Sequence, residues 1–204
     1  MIKTILWDFD GVILDSMKIK GDGFLELFKE FSKEDLEKIE EYHYTHGGVS
    51  RFEKIRYFYN DILNKDIDDS KILVLADKFA EIIKVKLYDK NNLIEETLNY
   101  IEKNYRKYNF HIVSGAEHNE LNKLCDSFEI SKYFISIDGS PTPKDKLVKN
   151  VIEKFRYTKV EVILIGDAIT DLNASIKNNI DFYGYNNPEL KKYKYIDNFM
   201  ELII

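Results

Sequence analysis

Apolar and polar positions divide the chain into three regimes. Near the N-terminus a short unbroken run, Ile5-Leu6-Trp7, leads into Asp8-Phe9-Asp10-Gly11. Unbroken runs of this kind mark strands buried on both faces of a parallel sheet, and the spacing predicts a strand over 2–8. From about residue 16 to residue 90 the apolar positions recur at helical intervals instead. Phe24, Leu25, Leu27, Phe28 and Phe31 form one set; Ile55, Phe58, Tyr59, Ile62 and Leu63 a second; Ile72, Leu75, Phe79, Ile82 and Ile83 a third. About four helices and no strand are expected there. The segment Thr45-His46-Gly47-Gly48-Val49-Ser50-Arg51 breaks the pattern: the glycine pair interrupts it, and Ser50 is placed to cap the next helix.

From about residue 93 onward strands and helices alternate. Strands are predicted over 110–113, 133–137, 160–165 and 181–185, and helices over 93–103, 119–128, 144–155, 170–178 and 198–204. Such alternation implies an α/β fold with a parallel sheet between helical layers. The helical stretch separates the first strand from the others. The expected organisation is a core of 1–15 and 91–204, with a small helical domain over 16–90 inserted after the first strand.

The 204 residues, 44% apolar and 14% aromatic, suffice for one domain of this size with a substantial core. A net charge of -6 argues against a nucleic-acid partner, which needs a basic stripe, but leaves room for a small anionic substrate. Cys125 is the sole cysteine, so no intrachain disulfide forms; it reads as a small apolar residue on a helix face. No basic N-terminal region leads into a long apolar stretch, so a soluble, cytoplasmic protein without a membrane partner is expected.

Polar residues concentrate at the predicted strand ends. Asp8 and Asp10 would share a face if the strand continued, and two acids there suit a divalent cation or acid–base work as well as a solvated loop. Ser114-Gly115 follows the second strand, where a hydroxyl and backbone N–H groups could hold a phosphate oxygen; strands also commonly end this way. Lys144 opens a helix after a loop with two prolines. A cation is disfavoured at that end of a helix unless its charge meets an anion, and Lys146 is the other candidate. Val162-Ile163-Leu164-Ile165 runs into Gly166-Asp167, with Asp171 four residues on, where it could also serve as a cap. In a parallel sheet all these ends meet on one edge. Carboxylates, a hydroxyl and a lysine together describe a Mg²⁺ and phosphate site.

On these residues the sequence resembles the haloacid dehalogenase superfamily over nearly its whole length. Asp8-Phe9-Asp10-Gly11-Val12 is similar to the first block of that superfamily, Ser114 to the second, Lys144 to the third and Gly166-Asp167-x-x-x-Asp171 to the fourth. The helical insertion resembles the α-helical cap of the phosphoglycolate phosphatase and β-phosphoglucomutase branch. The resemblance implies a Rossmann-like core under that cap and a set of roles. Asp8 would be the nucleophile that takes the phosphoryl group, and Asp10 the acid and then the base. Ser114, Gly115 and Lys144 would hold phosphoryl oxygens. Asp8, Asp167 and the Asp10 backbone carbonyl would hold Mg²⁺, with Asp171 binding directly or through water. The superfamily's dehalogenases lack the second acid, so Asp10 favours phosphate chemistry, in which an alcohol must leave.

In the cap, Gly47-Gly48-Val49-Ser50-Arg51 resembles the Gly-x-Ser-Arg stretch of the phosphoglucomutase branch. Arg51 would then pair with a carboxylate or phosphate of the substrate; the alternative is a surface cation. Ser50, His46 and Lys18 are further candidates for substrate contact, whereas His43, His111 and His118 read as structural or exposed. The expected activity is a Mg²⁺-dependent phosphatase acting on a small phosphorylated metabolite, a sugar or amino-alcohol phosphate. A phosphomutase with the same covalent intermediate is the runner-up. A non-catalytic binding module is the third reading, opposed by the presence of all six polar positions.

Overall fold

The computed structural model describes residues 1–202. Six parallel strands form one sheet in the order β3-β2-β1-β4-β5-β6. They are β1 (Thr4–Trp7), β2 (Asn109–Glu117), β3 (Ser136–Ser140), β4 (Val162–Gly166), β5 (Asp181–Tyr185) and β6 (Tyr195–Ile196). Alternating residues of β1 face two cores. Ile5 and Trp7 join Phe110, Ile112, Ile163 and Ile165 on one face, while Leu6 packs with Val113 and Leu164 on the other. The first face is covered by α5 (Glu95–Asn104) and α6 (His118–Ser127), the second by α7 (Lys144–Phe155) and α8 (Ile169–Asn178).

Register decides where the chemistry goes. Trp7 pairs with Ile112 of β2 and with Ile165 of β4, so β1 and β4 run out at the level of the Ile112-Val113 step of β2. Asp8, the Val113-Ser114 step and Gly166-Asp167 therefore share one edge.

Between β1 and α5 lie α1 (Met17–Leu27), α2 (Lys33–Thr45), α3 (Arg51–Tyr57) and α4 (Asp69–Leu87). The three later helices are capped by side chains: Ser32 accepts from Asp35 N–H, Ser50 from Glu53 N–H and Asp68 from Lys71 N–H. α3 continues into a π-helical turn at Phe58–Ile62, where Phe58 stacks on Phe28 at 3.7 Å. The chain leaves and re-enters the sheet region through two adjacent segments, tied by Asp15 N–H to Asn92 O (2.7 Å) and Ile94 N–H to Ile13 O (2.9 Å).

Two sequence expectations are displaced, and one strand, β6, was not foreseen. The strand expected over 133–137 is β3, Ser136–Ser140. Tyr133 and Phe134 look strand-like, but they lie in and just after a 3-10 turn and pack on Tyr105 and Phe110. The true strand alternates polar residues that satisfy one another: Ser136 bonds His111 and Asp138. β6 is too short for periodicity to reveal. Over 198–204 the chain forms a 3-10 turn at Phe199–Glu201 rather than a helix, and positions 203 and 204 lie outside the described residues. No helix among the described residues is long and apolar enough to cross a membrane.

Candidate active site

The loop after β1 is a tight turn. Asp8 N–H still donates to Ile165 O (2.9 Å), and Phe9 O accepts from the N–H groups of Ile13 and Leu14 (2.8 and 2.9 Å). Gly11, at φ +76°, completes the turn; any Cβ there would collide with the Asp167 carboxylate. Sequence and site are thus coupled at one glycine.

Asp8 is fully buried. Its Oδ1 accepts from Phe9 N–H at 2.7 Å; its Oδ2 lies 2.8 Å from Lys144 Nζ and has no other partner among the described residues. Lys144 rises from the first turn of α7 and also reaches Asp171 Oδ1 at 2.5 Å. Burial opposes its charge, but Asp171 and Asp8 outweigh that and hold the ammonium well above its ordinary pKa. Lys146 is exposed, so Lys144 is the lysine that faces the acids. Asp171 also accepts from Ala168 N–H at 3.1 Å, closing the first turn of α8 as the sequence allowed.

The carboxylates of Asp8, Asp167 and Asp171 lie within 4.8 Å of one another. One ammonium does not balance three such groups. Burial and the Asp171 charge push Asp8 up to about 7 despite Lys144. Burial, Asp8 and Asp171 likewise raise Asp167 well above the carboxylate range. A buried cluster of three carboxylates, all oxygen donors, with one ammonium among them fits a small hard divalent cation.

The Asp10 carboxylate stands outside this cluster. Lys20 Nζ donates to one oxygen and Ser16 Oγ to the other, each at 2.5 Å. Burial alone would raise Asp10, but these partners hold it below the usual range. Ser114 is buried at the same edge, its Oγ accepting from Ala116 N–H at 3.1 Å. Gly115 abuts the Gly48 backbone carbonyl, an approach that no side chain would allow.

The helical insertion is closed over this edge. Thr170 Oγ1 donates to Gly47 O at 2.6 Å, and Gly48, at φ +76°, packs beside Thr170 and Lys144. Ser50 lines a groove with Lys144 and Thr142. Arg51 differs from both readings of the sequence. It is buried, forms a two-pronged ion pair with Glu120 of α6 and lies 5.0 Å from the Phe79 ring centre. It is neither a surface cation nor a free anion receptor, because a core carboxylate already occupies its fork.

Lys18 is exposed and pairs with Asp22 at 3.0 Å, away from the cleft. Two residues along a helix is about 200° of rotation, so Lys20 takes the inward face instead. His46 is also turned outward, stacked on Tyr42 at 4.1 Å and bonded to Thr45 Oγ1. His43 is buried: its Nε2 bonds Met17 O at 2.8 Å and its Nδ1 meets Lys54 Nζ at 3.0 Å. His111 bonds Ser136 and Tyr157, and His118 is exposed. Cys125 is buried, its thiol pushed up to about 12 by burial, and unreactive.

Several site residues carry no sequence motif. Asn186 Nδ2 donates to Gly11 O (3.0 Å) and Asn187 Nδ2 to Asp167 O (2.7 Å), pinning the two acid-bearing loops from the end of β5. Their position just past a predicted strand was the available signal. Lys20, Lys54 and Glu120 gave none, since nothing distinguishes them from the many solvated charges on nearby helices.

A buried pair loses most when one partner is removed. Arg51→Met and Glu120→Gln should each lower stability by about 3 kcal/mol, and the exchanged pair (Arg51→Glu with Glu120→Arg) should recover part of it. Denaturant titration reads this; single variants as stable as the parent would show the pair to be incidental.

The strand order and the acids gathered at the strand ends define a Rossmann-like α/β protein with its site at the carboxyl edge of the sheet. The model of the haloacid dehalogenase-like hydrolase family matches residues 5–185, and the chain belongs to that family. No curated protein matches the sequence. Among solved structures it is similar to β-phosphoglucomutase from Clostridium difficile (20% identity, TM-score 0.76, covering 100% of this chain and 94% of that one). CbbY from Rhodobacter sphaeroides, solved in complex with phosphate, gives 18% identity and a TM-score of 0.74, covering 99% and 96%. YfnB from Bacillus subtilis, solved bound to magnesium, gives 16% and 0.69, covering 98% and 96%.

Proposed function

We propose that the protein is a Mg²⁺-dependent phosphatase of small phosphate monoesters that works through an aspartyl-phosphate on Asp8. The observation that carries this is Asp8 Oδ2, a buried carboxylate oxygen engaged among the described residues only by Lys144 and set among two further acids. Phosphate bound to CbbY and magnesium bound to YfnB support the same chemistry on a similar fold.

Asp8, Asp167 and the Asp10 carbonyl would hold Mg²⁺, with Asp171 beside it. When bound, the ion offsets the negative charges that must approach and polarises the phosphoryl oxygens. Asp8 Oδ2 attacks phosphorus and the ester P–O bond breaks, while Asp10 gives its proton to the departing alcohol. Lys144 and Ser114 hold the transferring oxygens. Asp10 then takes a proton from water, which attacks phosphorus; the acyl–phosphate bond breaks, phosphate leaves and Asp8 is restored. Lys20 and Ser16 keep Asp10 charged in the closed arrangement, the form that the second step uses. An entering anion competes for Lys20 and favours the protonated form that the first step uses.

The space left beside Asp10 in this closed arrangement is about 30 Å³, room for roughly two waters, and a groove lined by Gly48, Ser50 and Lys144 adds about 210 Å³. The test is a panel of metabolite monoesters assayed for phosphate release with Mg²⁺ and with chelator. Mg²⁺-dependent release is expected. Conversion of a hexose 1-phosphate to its isomer without free phosphate would establish the mutase reading instead, and inertness throughout would overturn the phosphatase reading.

A further inference from the structure

We propose that Lys54 is a specificity-determining residue that reads negative charge on the leaving portion of the substrate. The proposal rests on the phosphatase reading above. It begins with the small space beside Asp10, bordered by Lys20, Arg51 and Lys54 together with His43, Phe24 and Phe79.

Three cations converge there, and two are matched: Lys20 by Asp10, Arg51 by Glu120. Lys54 is buried, yet no carboxylate among the described residues forms an ion pair with it. Its Nζ donates to His43 Nδ1 at 3.0 Å and to His43 O at 3.1 Å. The histidine supplies no charge. Its Nε2 lies 2.8 Å from a carbonyl, Met17 O, so that nitrogen carries the proton and Nδ1 is left to accept. Burial holds the ring down to about 3, neutral at physiological pH. Two of the three ammonium protons are thus satisfied by neutral groups and the remaining contact is the face of the Phe24 ring, 5.9 Å away, so no anion among the described residues pairs with the charge.

A buried cation without a counter-ion is an expensive way to tie α2 to α3, since neutral groups would serve. Burial and the neighbouring Lys20 pull the Lys54 ammonium down to about 7. An anion entering the space would supply the missing charge. The same cations oppose an ammonium group, which argues against amino-alcohol phosphates. The mobile partner of this site is therefore a compact alcohol bearing a carboxylate or a second phosphate.

The test compares kcat/KM for four short monoesters: the phosphates of glycolate, propanol and ethanolamine, and ethylene glycol bisphosphate. The wild-type protein should prefer the anionic members over propyl phosphate by about 10- to 100-fold and disfavour the ethanolamine ester. The glycolate and bisphosphate arms separate carboxylate from phosphate recognition. In Lys54→Met the anionic-to-neutral ratio should fall by about the same factor, and Lys54→Arg should keep part of it. A ratio is independent of how much of the variant is folded. A wild-type protein that hydrolyses all four without charge preference overturns the proposal while leaving the phosphatase reading intact. So does a ratio that survives in Lys54→Met. If wild-type protein hydrolyses none of them, nor p-nitrophenyl phosphate, the phosphatase reading fails and the proposal falls with it.

Discussion

Asp8→Asn should reduce Mg²⁺-dependent phosphate release on the order of 10³-fold or more and leave the fold intact. The amide has no anionic oxygen with which to attack phosphorus, and it is a poorer ligand for a hard cation. Its carbonyl oxygen can still accept from Phe9 N–H, the bond that fixes the side chain. The charge removed is one that the folded protein resists, since burial and Asp171 hold the Asp8 carboxyl up to about 7. Lys144 keeps Asp171 as a partner at 2.5 Å. Metal-free Asp8→Asn should therefore melt no lower than the parent at neutral pH, while single-turnover phosphate release collapses. Turnover within tenfold of the parent would remove Asp8 as nucleophile.

The residues that sequence made legible are those at strand ends. Asp8, Asp167 and Asp171 were located because a buried strand is unmistakable as an apolar run, and register brings β1 and β4 to the common edge; Ser114 follows the apolar part of β2, and Lys144 was marked as a cation at the start of a helix, where its charge needs an anion. The choice between Lys144 and Lys146 needed only the direction of a helix face. The helical insertion was harder. Lys18 was the candidate for the cleft, and only the rotation of α1 shows that Lys20, two residues on, takes that place. Arg51 was marked as a cation near substrate, but its actual partner, Glu120, lies 69 residues away on the core. Contacts between an insertion and its core depend on how two independent surfaces meet, and no local period encodes that. β3 was misplaced for a related reason: its alternation is polar, and its stability comes from bonds to His111 across the sheet.

Lys144→Met should have the largest combined effect. Lys144 is the cation that bridges Asp8 and Asp171, and all three side chains are buried. Removing one member of such a group leaves uncompensated charge, a loss of about 3–5 kcal/mol. For a chain of this length that is roughly 6–20 °C in Tm. The loss is pH-dependent, and its sign follows from the acids. Asp8 is raised from 3.8 to about 7, and Asp167 is raised as well. Between those values the folded state binds more protons than the unfolded chain, so stability falls as pH rises. The missing ammonium raises both acids further, which steepens the fall and carries it to higher pH. In chelator, the gap in Tm between Lys144→Met and the parent should widen from pH 5 to pH 8. Excess Mg²⁺ should narrow it, because the ion supplies charge to the same oxygens. Phosphate release should stay depressed by about 10²- to 10³-fold even then, since the ion does not replace the donor to the transferring phosphoryl group. A gap that is flat with pH would show that Lys144 does not balance the acids, and full recovery of turnover by Mg²⁺ would confine it to a structural role.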